Sequence, residues 1–393
     1  MGSYKEIMDK LIIKEVEEGR IVGANVLVIH NGNEIYHNTF GYSDKERKVI
    51  MARDTIFRMY SMTKPITAVA IMILVERGYI NLDDSVSKYF PEYSNQLVYN
   101  SNGELESINR DITIYDLLNM TSGIPYPDES HESGRQMGKL FRNFIERRES
   151  GEKGDSPDTQ EYIRAIARIP LAQQPGTKWV YGLSADILGG IIEVVTNKKF
   201  GEFLKEEIFD PLEMKDTGFF VPKDKLNRFA QNYMWNEEMN TLVPFEKSHL
   251  GEYYGEDVAY ESGGAGLVST IDDYSHFAIM MINNGEYNGK RILKKETIEF
   301  MTRDKLTKEQ KVDFIWDGMK GYGYGNLMRI LINKEEAVTS ASLGEFGWDG
   351  WTGNFVSMDP KENLVFLYFI QRCDSGVTPI VRKLKMATYE AID

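Results

Sequence analysis

The sequence predicts an α+β fold: an antiparallel β-sheet flanked by helices and built from both ends of the chain, with a mainly helical region inserted between them. Three observations carry this reading. β-forming stretches lie near both termini, and helical spacing dominates the middle. Neighbouring strands are joined by hairpin signals, without the strand–helix–strand alternation of a parallel sheet. The boundaries implied are 1–80 with 265–393 for the α/β part and 81–264 for the insert.

The elements follow in order. Residues 3–19 space Ile7, Met8, Leu11, Ile12 and Val16 as an amphipathic helix. The run Val22 to His30, the turn pair Asn31-Gly32 and the run Glu34 to Phe40 form a hairpin. Thr55 to Tyr60 reads as a further short strand. Lys64 to Arg77 is a strongly apolar helix, with Pro65 tolerated in its first turn and Gly78 at its end. Helical stretches at Ile114–Met120, Thr159–Ile169 and Ala185–Thr196 then alternate with Gly-, Pro- and Ser-rich loops. The most polar of these loops is Arg147 to Asp158. Residues 272–284 read as helix. Tyr322–Ile332, Trp351–Met358 and Leu364–Gln371 read as strands, the last two joined by the turn sequence 359–363. Val377 to Ile392 closes the chain as a helix.

Composition narrows the function. At roughly 100–200 residues per domain, 393 residues make two or three structural units with a large core. With 46 basic and 60 acidic residues the net charge is −14, which speaks against nucleic acid as a partner. One cysteine, Cys373, excludes an intrachain disulfide and a cysteine-rich metal site. The start Met1-Gly2-Ser3-Tyr4-Lys5-Glu6 has no apolar stretch, so a cytoplasmic location is expected. The longest clean apolar run, Ala68 to Val75, is far short of the about 20 residues that span a bilayer, so no membrane partner is expected.

Three segments carry candidate chemistry. Ser61-Met62-Thr63-Lys64 opens the apolar helix. Positions i and i+3 share a helix face, so the lysine amine can sit beside the serine hydroxyl. Burial lowers a lysine pKa and makes the amine a base, and a helix N-terminus adds a positive field. Two other Ser-x-x-Lys matches, Ser85–Lys88 and Ser150–Lys153, lack a following core helix. Local context alone leaves Ser61 open between a nucleophile and a serine at a helix start with an incidental lysine. Tyr181 ends a turn-rich stretch before the helix at Ala185, where a phenol near an ammonium can relay a proton. Among 22 tyrosines a packed aromatic is the plainer reading. Gly347-Trp348-Asp349-Gly350-Trp351-Thr352-Gly353 is either a plain turn with packing tryptophans or a Gly-rich edge that lets substrate approach backbone N–H groups. None of the five histidines lies in a metal-pair spacing, and His276 reads as a structural histidine.

Taken together these segments resemble the serine β-lactamase and penicillin-binding-protein superfamily, in its class C branch, and most closely the family VIII carboxylesterases. Ser61-x-x-Lys64 matches the nucleophile motif. Leu117 to Gly123 resembles the Leu-Leu-x-His-Thr-Ser-Gly loop, with Met120 in place of the histidine. Tyr181 with Ala185 to Gly189 matches the second motif and its helix, and Gly263 to Thr270 matches another recurrent segment. The resemblance runs from about residue 20 to 390 and implies a β-lactamase/transpeptidase-like fold.

Departures from the β-lactamase pattern point to the substrate. The second motif lacks its asparagine, since Leu183 stands there. The third motif lacks its lysine, since Trp348-Asp349-Gly350 aligns with Lys-Thr-Gly. Both changes disfavour a carboxylate-bearing β-lactam and favour neutral esters in an aromatic pocket. The resemblance implies that Ser61 attacks the ester, Lys64 and Tyr181 move its proton, and the backbone N–H groups of Ser61 and Trp351 hold the oxyanion. Trp348, Asp349, Gly350 and Leu183 are the expected substrate contacts. No metal or organic cofactor is expected. The other readings are an amidase or peptidase on D-amino-acid amides, a weak β-lactamase, and a sensor that acylates without turnover.

Overall fold

In the computed structural model, residues 4–150, 156–245, 254–256, 258–314 and 316–392 are described. Near-continuous apolar runs at both ends of the chain, buried on both faces, build one eight-stranded sheet. Its strands are β1 (Gly23–His30), β2 (Asn33–Asp44), β3 (Val49–Ile50), β4 (Tyr322–Gly325), β5 (Met328–Leu331), β6 (Phe346–Asp349), β7 (Phe355–Asp359) and β8 (Leu364–Phe369). They lie in the order β4-β5-β6-β7-β8-β1-β2-β3, and every neighbouring pair is antiparallel. The N-terminal hairpin therefore docks on the last strand of the C-terminal run, with Asn25 opposite Phe369 and Leu27 opposite Leu367.

The two faces of the sheet bury different sets of side chains. Val26, Val28, Phe366 and Tyr368 pack under the terminal helices α1 (Tyr4–Glu17) and the closing helix Pro379–Ile392. Leu27, Val365 and Leu367 face a larger cluster that runs on into the central helices. That cluster surrounds α2 (Thr63–Glu76), in which every residue from Thr63 to Leu74 is buried. A helix apolar on all sides belongs in a core. No described helix is long and apolar enough to cross a membrane.

Local reading of the sequence departs from the structure at several points. Tyr322–Ile332 is a hairpin rather than one strand, because Asn326 and Leu327 both take positive φ and reverse the chain. The strand expected from Trp351 starts only at Phe355, since 350–354 is a turn, and the preceding β6 was not anticipated. A helix, α3 (Glu132–Glu149), occupies a stretch without a helical prediction, and its last turn holds the first residues of the expected 147–158 loop. Residues 151–155 of that loop lie outside the described residues.

Candidate active site

The nucleophile candidate sits on a strained turn. Tyr60–Met62 form a single 3-10 turn ahead of α2, and Tyr60 has φ +46. Left-handed backbone at a bulky residue persists only where its surroundings over-determine it. Here they do. The Tyr60 hydroxyl accepts from Asn232 at 3.1 Å, and its ring packs edge-on against Trp351 at 5.3 Å between centroids. On either side, Met59 N donates to Leu267 O at 2.8 Å and Tyr274 OH donates to Met62 O at 2.8 Å.

Lys64 is fully buried one helical turn on. Its Nζ lies 3.0 Å from Ser61 Oγ, 2.9 Å from Tyr126 OH and 2.8 Å from the Gly264 carbonyl. The carbonyl can only accept. A neutral amine that gives its two N–H bonds to Gly264 O and Tyr126 OH therefore aims its lone pair at Ser61 Oγ. Burial pulls the Lys64 pKa down to about 7, against the opposing charges of Asp186 and Asp349. A lysine so placed is available as a base near neutral pH.

The carbonyl that meets Lys64 is held in place by a small network. Asp186 Oδ1 accepts from Tyr260 OH at 2.6 Å, Ser262 Oγ at 2.5 Å and Gly264 N at 3.3 Å. Thr67 Oγ1 donates to Gly263 O at 2.7 Å. Gly263 packs so closely on the helix Ser184–Thr196 that a Cβ there would lie 2.2 Å from Ala185 O. This accounts physically for the glycines in the segment 263–266.

Tyr181 precedes that helix and leans over the lysine. Lys64 Nζ lies 4.8 Å from the Tyr181 ring centroid, and the rings of Tyr126 and Tyr181 are 5.5 Å apart. Trp348 Nε1 donates to Tyr181 OH at 3.1 Å. Burial raises the Tyr181 pKa, while its hydrogen bonds to Ser61 and Trp348 act in the opposite direction. The strap is fixed by Val180 N, which donates to Met120 O at 2.7 Å, and by the Ser122–Ser184 hydroxyl pair at 2.8 Å.

Ser61, Tyr181, Trp348, Asp349, Gly350 and Trp351 all border one cavity of about 440 Å³. A Cβ on Gly350 would lie 2.6 Å from Met59 O, so only glycine lets the turn after β6 close on the nucleophile turn. Asn354 locks that turn by donating to Arg58 O at 2.9 Å and accepting from Ile370 N at 2.9 Å. Leu183 departs from its expected place. It caps the helix start, its side chain is buried in the core, and it does not border this cavity. Asp349 is not a lone negative charge either. Arg329, buried on the neighbouring strand, bonds its Oδ1 through Nη1 at 2.5 Å.

Two residues of the site were not anticipated. Tyr126 gave only a weak signal, a tyrosine between two prolines just past the Thr121-Ser122-Gly123 loop. Arg329 gave none, because a cation in a short strand usually points to solvent. The other Ser-x-x-Lys pairs behave differently. Ser85 caps a 3-10 turn, and Lys88 is ion-paired with Asp84 at 2.9 Å. Lys153 lies outside the described residues. His276 hydrogen-bonds the Leu212 carbonyl at 2.9 Å, as a structural histidine does.

Known proteins share this arrangement of chain. The profile of the family described as Beta-lactamase matches residues 8–387. Protein Rv1367c of Mycobacterium tuberculosis is 31% identical over 371 residues, covering 92% of this chain and 88% of that protein. Esterase EstB of Burkholderia gladioli is 28% identical, covering 97% of this chain and 94% of its own. Among solved structures, EstCE1, described as a hydrolase with promiscuous acyltransferase activity, superposes with a TM-score of 0.80. It is 24% identical over 99% of this chain and 98% of its own.

Proposed function

The chain belongs to the β-lactamase family, a serine-hydrolase family with esterase and acyltransferase relatives, and from that premise we propose that it hydrolyses carboxylic esters through an acyl-enzyme on Ser61. The observation that carries the reading is the 3.0 Å approach of buried Lys64 Nζ to Ser61 Oγ at the floor of an aromatic cavity. In this reading Ser61 Oγ attacks the ester carbonyl as its proton passes to Lys64 Nζ. The oxyanion forms against the backbone N–H groups of Ser61 and Trp351. Preorganised donors of this kind supply the largest share of many rate enhancements. The ammonium of Lys64 returns a proton to the departing alcohol through the Tyr181 hydroxyl. Water then enters, gives a proton to the same pair and bonds to the acyl carbon; the Ser61 Oγ–acyl bond breaks, the acid is released and that proton returns to Ser61 Oγ. An alcohol in place of water gives acyl transfer.

The ester reading is favoured over a β-lactam because no cation occupies the third-motif position. Trp348 stands there, and Arg329 behind it is already engaged by Asp349. The test is hydrolysis of p-nitrophenyl acetate and butyrate beside a chromogenic cephalosporin and a D-alanine anilide. Fast ester turnover with slow cephalosporin and anilide cleavage is expected. Efficient cephalosporin cleavage with poor ester turnover assigns a β-lactamase instead, and efficient anilide cleavage an amidase.

A further inference from the structure

The cavity beside Ser61 has an unusual wall. Trp316 is 43% exposed, stands edge-on to Tyr181 at 4.9 Å between centroids, and presents an open indole. Trp351 and Trp348 border the same space. Two carboxylates also face it, Asp349 and Asp374. No lysine or arginine is among the described residues that border it. Resting on the ester-hydrolase reading, we propose that this site selects esters that carry an ammonium group, protonated or quaternary.

Each part of the wall suits such a group. Indole faces attract cations through the ring quadrupole, and tryptophan does so best. Asp349 offers its second oxygen. Arg329 takes Oδ1, Oδ2 has no hydrogen bond among the described residues, and the side chain remains a quarter exposed. Burial raises the Asp349 pKa in spite of Arg329 and Lys64, so these two cations compensate the buried carboxylate only in part. A substrate cation supplies the missing charge. Asp374 stands exposed at the rim and forms no ion pair with a described residue. Burial holds the Lys64 pKa at about 7, so above that pH the neutral amine predominates and opposes the ligand little. The net charge of −14 further concentrates cations around the molecule.

Matched pairs of esters test this with shape held constant. Acetylcholine is compared with neohexyl acetate, its uncharged carbon isostere. Ethyl trimethylammoniobutyrate is compared with the ethyl ester of its tert-butyl analogue. The proposal expects kcat/KM of the charged member to exceed its isostere by roughly tenfold in at least one pair. It also expects Asp374→Asn and Trp316→Leu each to lower that ratio. Equal turnover within both pairs, or faster turnover of the neutral members, overturns the proposal and leaves the esterase reading standing. If no ester of either kind is hydrolysed in a Ser61-dependent way, the esterase reading itself fails.

Discussion

The indole Nε1 of Trp348 donates a hydrogen bond to the Tyr181 hydroxyl at 3.1 Å, joining the third motif to the second. Trp348 is itself only 2% exposed, so the donor is fixed. With one lone pair occupied by the indole, the phenol turns its own proton and remaining lone pair toward Ser61 and Lys64. Trp348→Phe keeps an aromatic ring and removes the donor. A loss of one hydrogen bond is worth about 1 kcal/mol, so kcat for p-nitrophenyl acetate should fall roughly five- to tenfold. An unchanged kcat would show that other contacts orient the phenol.

The pH profile follows from Lys64. Its amine acts as base only when neutral, and burial holds its pKa at about 7. The log of kcat/KM should therefore rise with pH below about 7 and flatten above it. Asp349→Asn removes one of the two charges that raise this pKa, so it should move the acid limb to lower pH. Steady-state kinetics between pH 5 and 9 read the limb directly. An acid limb that is absent near pH 7, or that Asp349→Asn leaves unmoved, would remove Lys64 from the base role.

Tyr126→Phe deletes an oxygen that accepts from Lys64 at 2.9 Å. The ammonium loses more than the neutral amine when that acceptor goes, so the acid limb should again move to lower pH. The lone pair also loses its fixed direction, and kcat should fall on the order of tenfold. A variant with normal kcat and an unmoved limb would reduce Tyr126 to a packing residue.

Legibility of the site depended on how local each feature is. Ser61 and Lys64 are three residues apart on one turn, so their contact is readable from spacing. Tyr181 was readable only through its ordered company with the other motifs. Tyr126 meets Lys64 across 62 positions of sequence, and nothing in Pro125-Tyr126-Pro127 predicts that approach. Arg329 reaches Asp349 from a neighbouring strand, a pairing set by sheet register. The sheet itself was legible from its hairpins, but the strand Phe346–Asp349 was hidden among glycines. The helix Glu132–Glu149 was hidden by Gly134 in its first turn and by Gly138, which costs about 1 kcal/mol in the helix interior. Tertiary burial of Met137, Phe141 and Phe144 overrides that cost.

Breaking the Arg329–Asp349 pair should be felt in stability. Arg329 is 2% exposed, and removing it leaves a carboxylate without its cation. Loss of one partner of a buried pair costs about 3–5 kcal/mol, and the partial exposure of Asp349 places Arg329→Met near the lower end. The double variant Arg329→Met with Asp349→Asn should recover much of the loss. Urea unfolding of the two variants measures both values. Equal destabilisation in the single and double variants would locate the cost in packing around Arg329 instead.

The central claim is that Ser61 carries the acyl group, and intact-protein mass spectrometry after rapid mixing with p-nitrophenyl butyrate tests it most directly. The wild-type protein should gain one butyryl mass that maps to the peptide holding Ser61 and disappears as acid is released. Ser61→Ala should show no adduct, and its ester turnover should drop on the order of a thousand-fold or more. An adduct that maps elsewhere, or turnover that survives in Ser61→Ala, contradicts the account.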